Sequence, residues 1–301
     1  MENREGHVLH RPVMAHEVLE FLNLRRGCRI LDATVGCGGH AELILEKIRP
    51  DGLLIGIDRD QKSLDIARRR LKAYDGICKL VKANFSDVDK VLENLGIQGI
   101  DGAVFDLGIS SYQLSDASRG FSFEREGFLD MRMDLSQGLR AYDVVNRYNR
   151  IDLEHVIKEL GEERHYRRIA SAIVEKRKEG AITTTEELSG LIKKSVGKKY
   201  ASQRIHPATR TFQGIRIEVN RELTGIHQAL DKVIDFLTEG ARLCVISFHS
   251  LEDRIVKFRF KDLKKEGRGE IVTRKPLRPR AEEAKENPRS RSAKLRVFEK
   301  K

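Results

Sequence analysis

The chain has 301 residues, with 57 Lys and Arg against 46 Asp and Glu, a net charge of +11. It is long enough for a full α/β domain and a smaller companion, and the excess of positive charge favours polyanions and disfavours acidic partners. Cys28, Cys37, Cys78 and Cys244 lie far apart without a C-x-x-C spacing, so neither a disulfide framework nor a cysteine zinc site is indicated. No export leader opens the sequence and no run of about 18 apolar residues follows, so a soluble cytoplasmic protein is expected.

The first informative stretch is ILDATVGCGGHA, residues 30 to 41. An apolar strand ends on Asp32 and breaks into a turn at Gly36, Gly38 and Gly39, with a helix expected from about Ala41. Such a turn brings backbone close to a ligand and aims free N–H groups at it. LLIGID (53 to 58) reads as a second buried strand, and Asp60 can cap the helix that follows. CKLVKANF is a third strand, Ser86 with Asp89 resembles a capping box for the next helix, and IDGAVFDLG (100 to 108) is a fourth strand. Strands alternating with single helices predict a parallel, doubly wound Rossmann-like sheet whose ligands bind at the carboxyl strand ends. Asp32, Asp58, Asn84 and Asp106 all fall at such ends. Asp58 lies 22 residues after Gly36, where a carboxylate can accept from ribose hydroxyls.

The alternation then stops. Residues 109 to 134 form a long loop with three phenylalanines, and residues 141 to 197 read as helices throughout, the last capped by Thr185. This predicts an inserted, all-helical substrate-recognition domain at 113–212, placed to overhang the cofactor, within a cofactor domain formed by 1–112 and 213–301. One long amphipathic helix over 211–240 ending at Gly240, the strand ARLCVISF, and a helix LEDRIVKFRFKDL resume the sheet pattern. Residues 264 to 294 read as irregular, and KLRVFEK as a last strand.

The glycine turn by itself leaves two cofactors open. Gly36, Gly38 and Ala41 satisfy the dinucleotide pattern of an NAD-dependent oxidoreductase, whereas Asp32 followed by glycines suits S-adenosylmethionine. In the latter pattern glycines stand two, four and six residues after the acid, and here those places are Thr34, Gly36 and Gly38. Other segments break the tie: HRPVMAHE, ATVGCGGH, IDRD, DLGISSYQL, RGFSF, LDMRMD, HPATRTFQGIRIEVN, ISFHSLEDRIVK and NPRSRSAKLR. From about His10 to Arg296 the chain resembles the bacterial ribosomal RNA small-subunit methyltransferase H family. That resemblance implies an S-adenosylmethionine-dependent enzyme that methylates N4 of a decoding-region cytidine in 16S rRNA of the small ribosomal subunit. It also implies cofactor contacts at Gly38, Gly39, His40, Asp58, Phe85, Asp106 and Gln113.

Methyl transfer asks for alignment of acceptor nitrogen, methyl carbon and sulfur, and for exclusion of water. Cytosine N4 shares its lone pair with the ring, so an acceptor for its N–H groups and a base are needed. Asp106 is the candidate for that role, or else it holds the cofactor while the carbonyl of Leu107 or Gly108 grips the amine. Amino-methyltransferases usually carry prolines and an aromatic ring at this point, where this chain has Asp106-Leu107-Gly108-Ile109. Tyr112 is therefore the first candidate to stack on the target base, with Phe121 and Phe123 next. Candidate phosphate contacts are Arg164, Arg167 and Arg168 in the insert, His206, Arg210 and Arg216 near its exit, and Arg289, Arg291 and Lys294 in the tail. His249 with Glu252 and Asp253 offers metal-ligand chemistry on paper, but no second histidine has suitable spacing, so no metal is expected. A noncatalytic RNA-binding assembly factor that keeps the cofactor fold is the alternative from another class.

Overall fold

Apolar residues on successive strands alternate between two helical layers, and this alternation builds the sheet. In the computed structural model, which describes residues 12–197, 200 and 205–301, the chain divides into two compact units, 1–108 with 223–301 and 109–222. His10 and Arg11 of the HRPVMAHE segment lie outside the described residues. The expected domain limits fall at 112/113 and 212/213, and the limits of the units at 108/109 and 222/223.

The first unit holds a sheet in the order β3-β2-β1-β4-β5-β7-β6. Its strands are β1 (Arg29–Asp32), β2 (Leu53–Asp58), β3 (Cys78–Lys82), β4 (Ile100–Asp106), β5 (Leu237–Ser247), β6 (Gly269–Ile271) and β7 (Lys294–Lys300). β1 to β5 run parallel, and β7 is antiparallel to both β5 and β6. The order reverses between β1 and β4, the crevice where doubly wound sheets take their ligands. Ile30, Leu54, Val104, Ile246, Leu295 and Val297 face one apolar cluster with helices α1 (Ala15–Leu22), α2 (Gly39–Ile48) and α3 (Gln61–Arg70). Leu31, Ile55, Phe105, Val245 and Phe298 face the other, with α4 (Val88–Asn94), the helix that begins at Glu222, and α12 (Ser250–Lys265). Strands buried on both faces need continuous apolar runs, as LLIGID shows.

The second unit begins with α5 (Ser111–Ser115). Helices α6 (Ala141–Arg147), α7 (Arg150–His155), α8 (Tyr166–Lys176), α9 (Thr185–Val196) and α10 (Ala208–Asn220) follow, with a π-type turn over Val156–Leu160 after α7. It has its own core, including Leu129, Val144, Ile157, Ile169, Leu188 and Ile215. Gly214 of α10 lies against the π-type turn, where a Cβ would stand 2.6 Å from the Val156 carbonyl oxygen. Only glycine permits that approach.

Four sequence expectations need correction. The single helix over 211–240 is broken: α10 ends at Asn220, Arg221 takes a left-handed φ of 49°, and α11 (Glu222–Phe236) begins anew. Asn220 Nδ2 donates to the Met131 carbonyl and its Oδ1 accepts from Met133 N–H, which fixes the break. Gly240 then lies within β5 and ends no helix. Thr184, not Thr185, caps α9 by accepting from Glu187 N–H, while Thr185 Oγ1 donates to the Arg125 carbonyl. Asn84 caps the turn after β3, because Asp89 is engaged by Lys232. Residues 264–294 are structured: β6, helix α13 (Ala281–Glu286) and a 3-10 turn over Pro288–Ser292 occupy them. Glu283 accepts from Met14 N–H at 2.8 Å and Arg280 pairs with Glu17 at 3.1 Å, tying α13 to α1. Polar anchors of this kind leave no hydrophobic period to read. Among the described residues no helix is long and apolar enough to cross a membrane.

Candidate functional site

The carboxyl ends of β1, β2 and β4 gather the polar residues of the sheet unit. β1 stops at Asp32, and the chain turns through Gly36 and Gly38, whose φ values are +51° and +84°. α2 starts at Gly39, two residues before the expected position, which places His40 in its first turn. Asp58, at the end of β2, is held by backbone: Gly36 N–H donates to its Oδ2 at 2.9 Å and Asp60 N–H to its Oδ1 at 2.8 Å. Burial pushes the Asp58 carboxyl up to about 6, against those two donors. Asp60 caps α3 through Lys62 N–H, as its position predicts.

Asp32 is 1% exposed, and burial pushes its carboxyl up to about 7, opposed by His40 and the Thr34 N–H and assisted by Asp106 and Asp58. His40 Nε2 stands 3.6 Å from Asp106 Oδ2. Burial works against its imidazolium, but Asp106 and Asp32 outweigh burial and raise the histidine above its ordinary value. Among the described residues, His40 Nε2 and Asp106 Oδ1 are both buried without a hydrogen-bond partner. Buried polar atoms are rarely left so unless a ligand completes them. Burial raises the Cys37 thiol in the glycine turn to about 11, so it stays protonated at neutral pH.

Phe85 opens the turn after β3, with its ring edge-on to Phe105 at 6.1 Å and the Arg59 guanidinium 5.9 Å from its centroid. An aromatic face, a carboxylate with two fixed oxygens, and an orphaned imidazole and carboxylate oxygen form one donor set along this edge. That set suits a ligand with a flat base, a ribose and a charged amino-acid end, as S-adenosylmethionine has.

Tyr112 and Gln113 belong to the helical unit. Gln113 is buried, and its Oε1 accepts from Ser110 N–H at 3.0 Å in the capping box of α5, while Tyr112 is half-buried. Phe121 packs in the helical core. Phe123 stacks on His206 at 4.5 Å and meets Phe212 edge-on, so both phenylalanines anchor the 109–134 loop. Several expected phosphate contacts have other work. Arg216 forms a two-pronged ion pair with Glu222, and Lys294 pairs with Asp253 at 2.9 Å. Arg210 is half-buried and donates to the Glu162 carbonyl. Arg164 lies 4.8 Å from the Tyr200 ring centroid, Arg167 lies 5.4 Å from the Tyr166 ring centroid, and Arg167, Arg168, Arg289 and Arg291 are exposed.

After β5, His249 Nε2 lies 3.1 Å from Glu252 Oε1, while Asp253 is engaged by Lys294 and Arg296. Sequence reasoning missed Thr34, whose hydroxyl accepts from Asp106 N–H at 2.7 Å. The only signal was a threonine where the methyltransferase loop expects glycine.

The chain matches the profile of the MraW methylase family over residues 7–301. It is 50% identical over 290 residues to the ribosomal RNA small subunit methyltransferase H of Persephonella marina, covering 96% of this chain and 98% of that one. The protein of the same name from Caldicellulosiruptor bescii is 51% identical, covering 97% and 99%. An rRNA methylase structure from Streptococcus thermophilus aligns with a TM-score of 0.45 at 13% identity, covering 98% and 99%. The chain belongs to the MraW methylase family, and its methyl donor is S-adenosylmethionine.

Proposed function

We propose that this chain methylates N4 of a decoding-region cytidine in 16S rRNA of the small ribosomal subunit. The names of its relatives and its basic charge support an RNA substrate, and the orphaned Asp106 Oδ1 carries the chemistry. When bound, S-adenosylmethionine supplies a methyl group activated by its sulfonium. Asp58 oxygens, fixed by Gly36 and Asp60, accept the ribose hydroxyls; Phe85 lies beside the adenine; Gly38, Gly39 and His40 receive the amino-acid end; and Gln113 completes the cofactor contacts.

Asp106 Oδ1 accepts an N4 hydrogen of the cytosine, drawing the nitrogen lone pair out of conjugation with the ring. The methyl–sulfur bond that breaks would leave a neutral thioether, and as the new N–C bond forms the same oxygen takes the surplus proton of N4. His40, raised by its carboxylate neighbours, stands 3.6 Å from Asp106 Oδ2 and leaves Oδ1 to accept. A half-buried carboxylate held at a strand end does this better than water, because it needs little reorganisation at the moment of transfer.

The helical unit serves as the substrate-recognition domain. Exposed Arg167 and Arg168 there, and Arg289 and Arg291 on the sheet unit, meet phosphates, and Arg210 adds a further contact. The cytidine must leave its stack to be reached, with Tyr112 stacking on it.

Purified protein is incubated with labelled S-adenosylmethionine and unmethylated small subunits, and the nucleosides are analysed by mass spectrometry. N4-methylcytidine at one site is expected. No methyl transfer to any RNA defeats the reading, and RNA binding without S-adenosylmethionine binding in calorimetry would favour a noncatalytic assembly factor.

A further inference from the structure

We infer that Thr34 is a positioning residue for methyl transfer: its hydroxyl extends the β1–β4 ladder by one rung beyond the end of β1 and so fixes the backbone of Asp106. The inference rests on the reading of Asp106 given above.

The ladder shows why a rung is needed there. β1 and β4 pair in parallel, with Ile30 opposite Gly102, Leu31 opposite Ala103 and Asp32 opposite Val104. The last backbone bond between them runs from Ala33 N–H to the Val104 carbonyl at 2.9 Å. In a parallel strand alternate residues direct their N–H and C=O to opposite neighbours. Val104 faces β1, so Asp106 faces the same way, while Leu107 N–H goes to the Ile246 carbonyl on the β5 side at 3.0 Å. β1 has by then turned off into the glycine loop. Asp106 N–H would be left unpaired at the lip of the crevice, a cost of about 1–3 kcal/mol for a buried donor. Thr34 Oγ1 takes it at 2.7 Å.

The same residue is tied back to β1. Thr34 N–H donates to Asp32 Oδ1 at 3.2 Å, so one threonine links the Asp32 carboxylate to the Asp106 backbone at the ends of the two strands flanking the crevice. Glycine, which the general methyltransferase loop places at this point, gives the turn its freedom but has no atom to reach β4. The departure at Thr34 therefore exchanges loop freedom for a fixed Asp106. Fixing matters because the acceptor must approach in line, and a displacement of about 1 Å can cost about a hundredfold in rate.

Three variants separate positioning from packing and from cofactor binding. Thr34→Val keeps the shape and removes the acceptor, Thr34→Ser keeps the acceptor, and Thr34→Gly restores the general loop. Single-turnover transfer to unmethylated small subunits, S-adenosylmethionine affinity by calorimetry, and amide exchange at Asp106 are measured for each. Thr34→Val is expected to lose about 10- to 100-fold in the transfer step, to keep cofactor affinity within about threefold, and to exchange the Asp106 amide faster. Thr34→Ser should restore most of the rate, and Thr34→Gly should behave like Thr34→Val. A wild-type transfer rate in Thr34→Val overturns the inference, as does a loss that resides wholly in cofactor affinity or one that Thr34→Ser does not restore. Failure of the wild-type chain to methylate any RNA overturns the functional reading and this inference together; a failure confined to the variants' predictions overturns this one alone.

Discussion

At the β1/β4 end of the sheet, Asp32 and Asp106 share one imidazole, whereas beside β7 a single carboxylate, Asp253, meets two cations, Lys294 and Arg296. Both groups are sheltered from water in the same unit, yet they titrate in opposite directions. Burial lifts Asp32 to about 7. Around Asp253 burial works the same way, but bonds from Arg296 and Lys294 outweigh it and hold the carboxyl below its ordinary value. One group satisfies its charges internally and serves the fold. In the other, His40 Nε2 and Asp106 Oδ1 have no hydrogen-bond partner among the described residues and the two carboxylates repel each other, a local cost that a cationic ligand can relieve. Unfinished pairing thus separates a ligand site from a structural ion cluster that residue types alone would not distinguish.

The sharpest way to break this contrast is Asp106→Ala. Transfer should fall by about a hundredfold or more with the melting temperature little changed, as read by single-turnover kinetics beside a thermal melt. Full activity would remove Asp106 from the mechanism.

Asp253→Ala should do the reverse. It strands two partly buried cations, so stability should drop by about 3 kcal/mol in denaturant unfolding, while the transfer rate of the folded fraction stays near wild type. Equal stability would show that the cluster by β7 is not a structural one.

Asp58→Asn should weaken S-adenosylmethionine binding by about 10- to 100-fold, the loss of one charge-assisted hydrogen-bond set of about 1.5–3 kcal/mol, read by calorimetry. Unchanged affinity would place the ribose elsewhere.

The smallest effect is the pH dependence of the ligand-free chain. Asp32 has a raised folded pKa, so it binds its proton more tightly folded than unfolded; its contribution is full below about 4 and is lost as pH rises through about 7. Asp32→Asn keeps the acceptor for Thr34 N–H and cannot ionise. It should melt a few degrees above wild type at pH 8, with the difference shrinking toward pH 5. A difference independent of pH would rule out the buried acid as its source.

Much of the sheet unit was legible because its signals are local. β2 matches its expected limits, Asp60 caps α3 as expected, and the polar residues stand at the ends of the strands. The illegible parts depend on partners distant in sequence. The break at Arg221 is set by Asn220 reaching Met131 and Met133, and the order of α13 by Glu283 reaching Met14. In the candidate site Asp58 and Asp106 could be named from position, but which oxygens are engaged and which are free could not. Thr34 registered only as a mismatch, because its value lies in a bond to a residue 72 positions away. Arg216 and Lys294 read as phosphate contacts, since nothing local reveals a carboxylate brought alongside by folding.

The placing of β7 between β5 and β6 bears on how the chain assembles. Synthesis delivers β6 before β7, yet among the described residues β6 has no neighbour in the sheet except β7. β6 must therefore wait, with its backbone groups on water, until the later strand has docked on β5. Sheet completion runs against the order of translation at this edge, so the interval between the two strands is when an exposed β5 edge is open to wrong pairing. The ion cluster of Asp253 with Lys294 and Arg296 spans that docking step, and it can bring β7 to β5 before the outer strand closes.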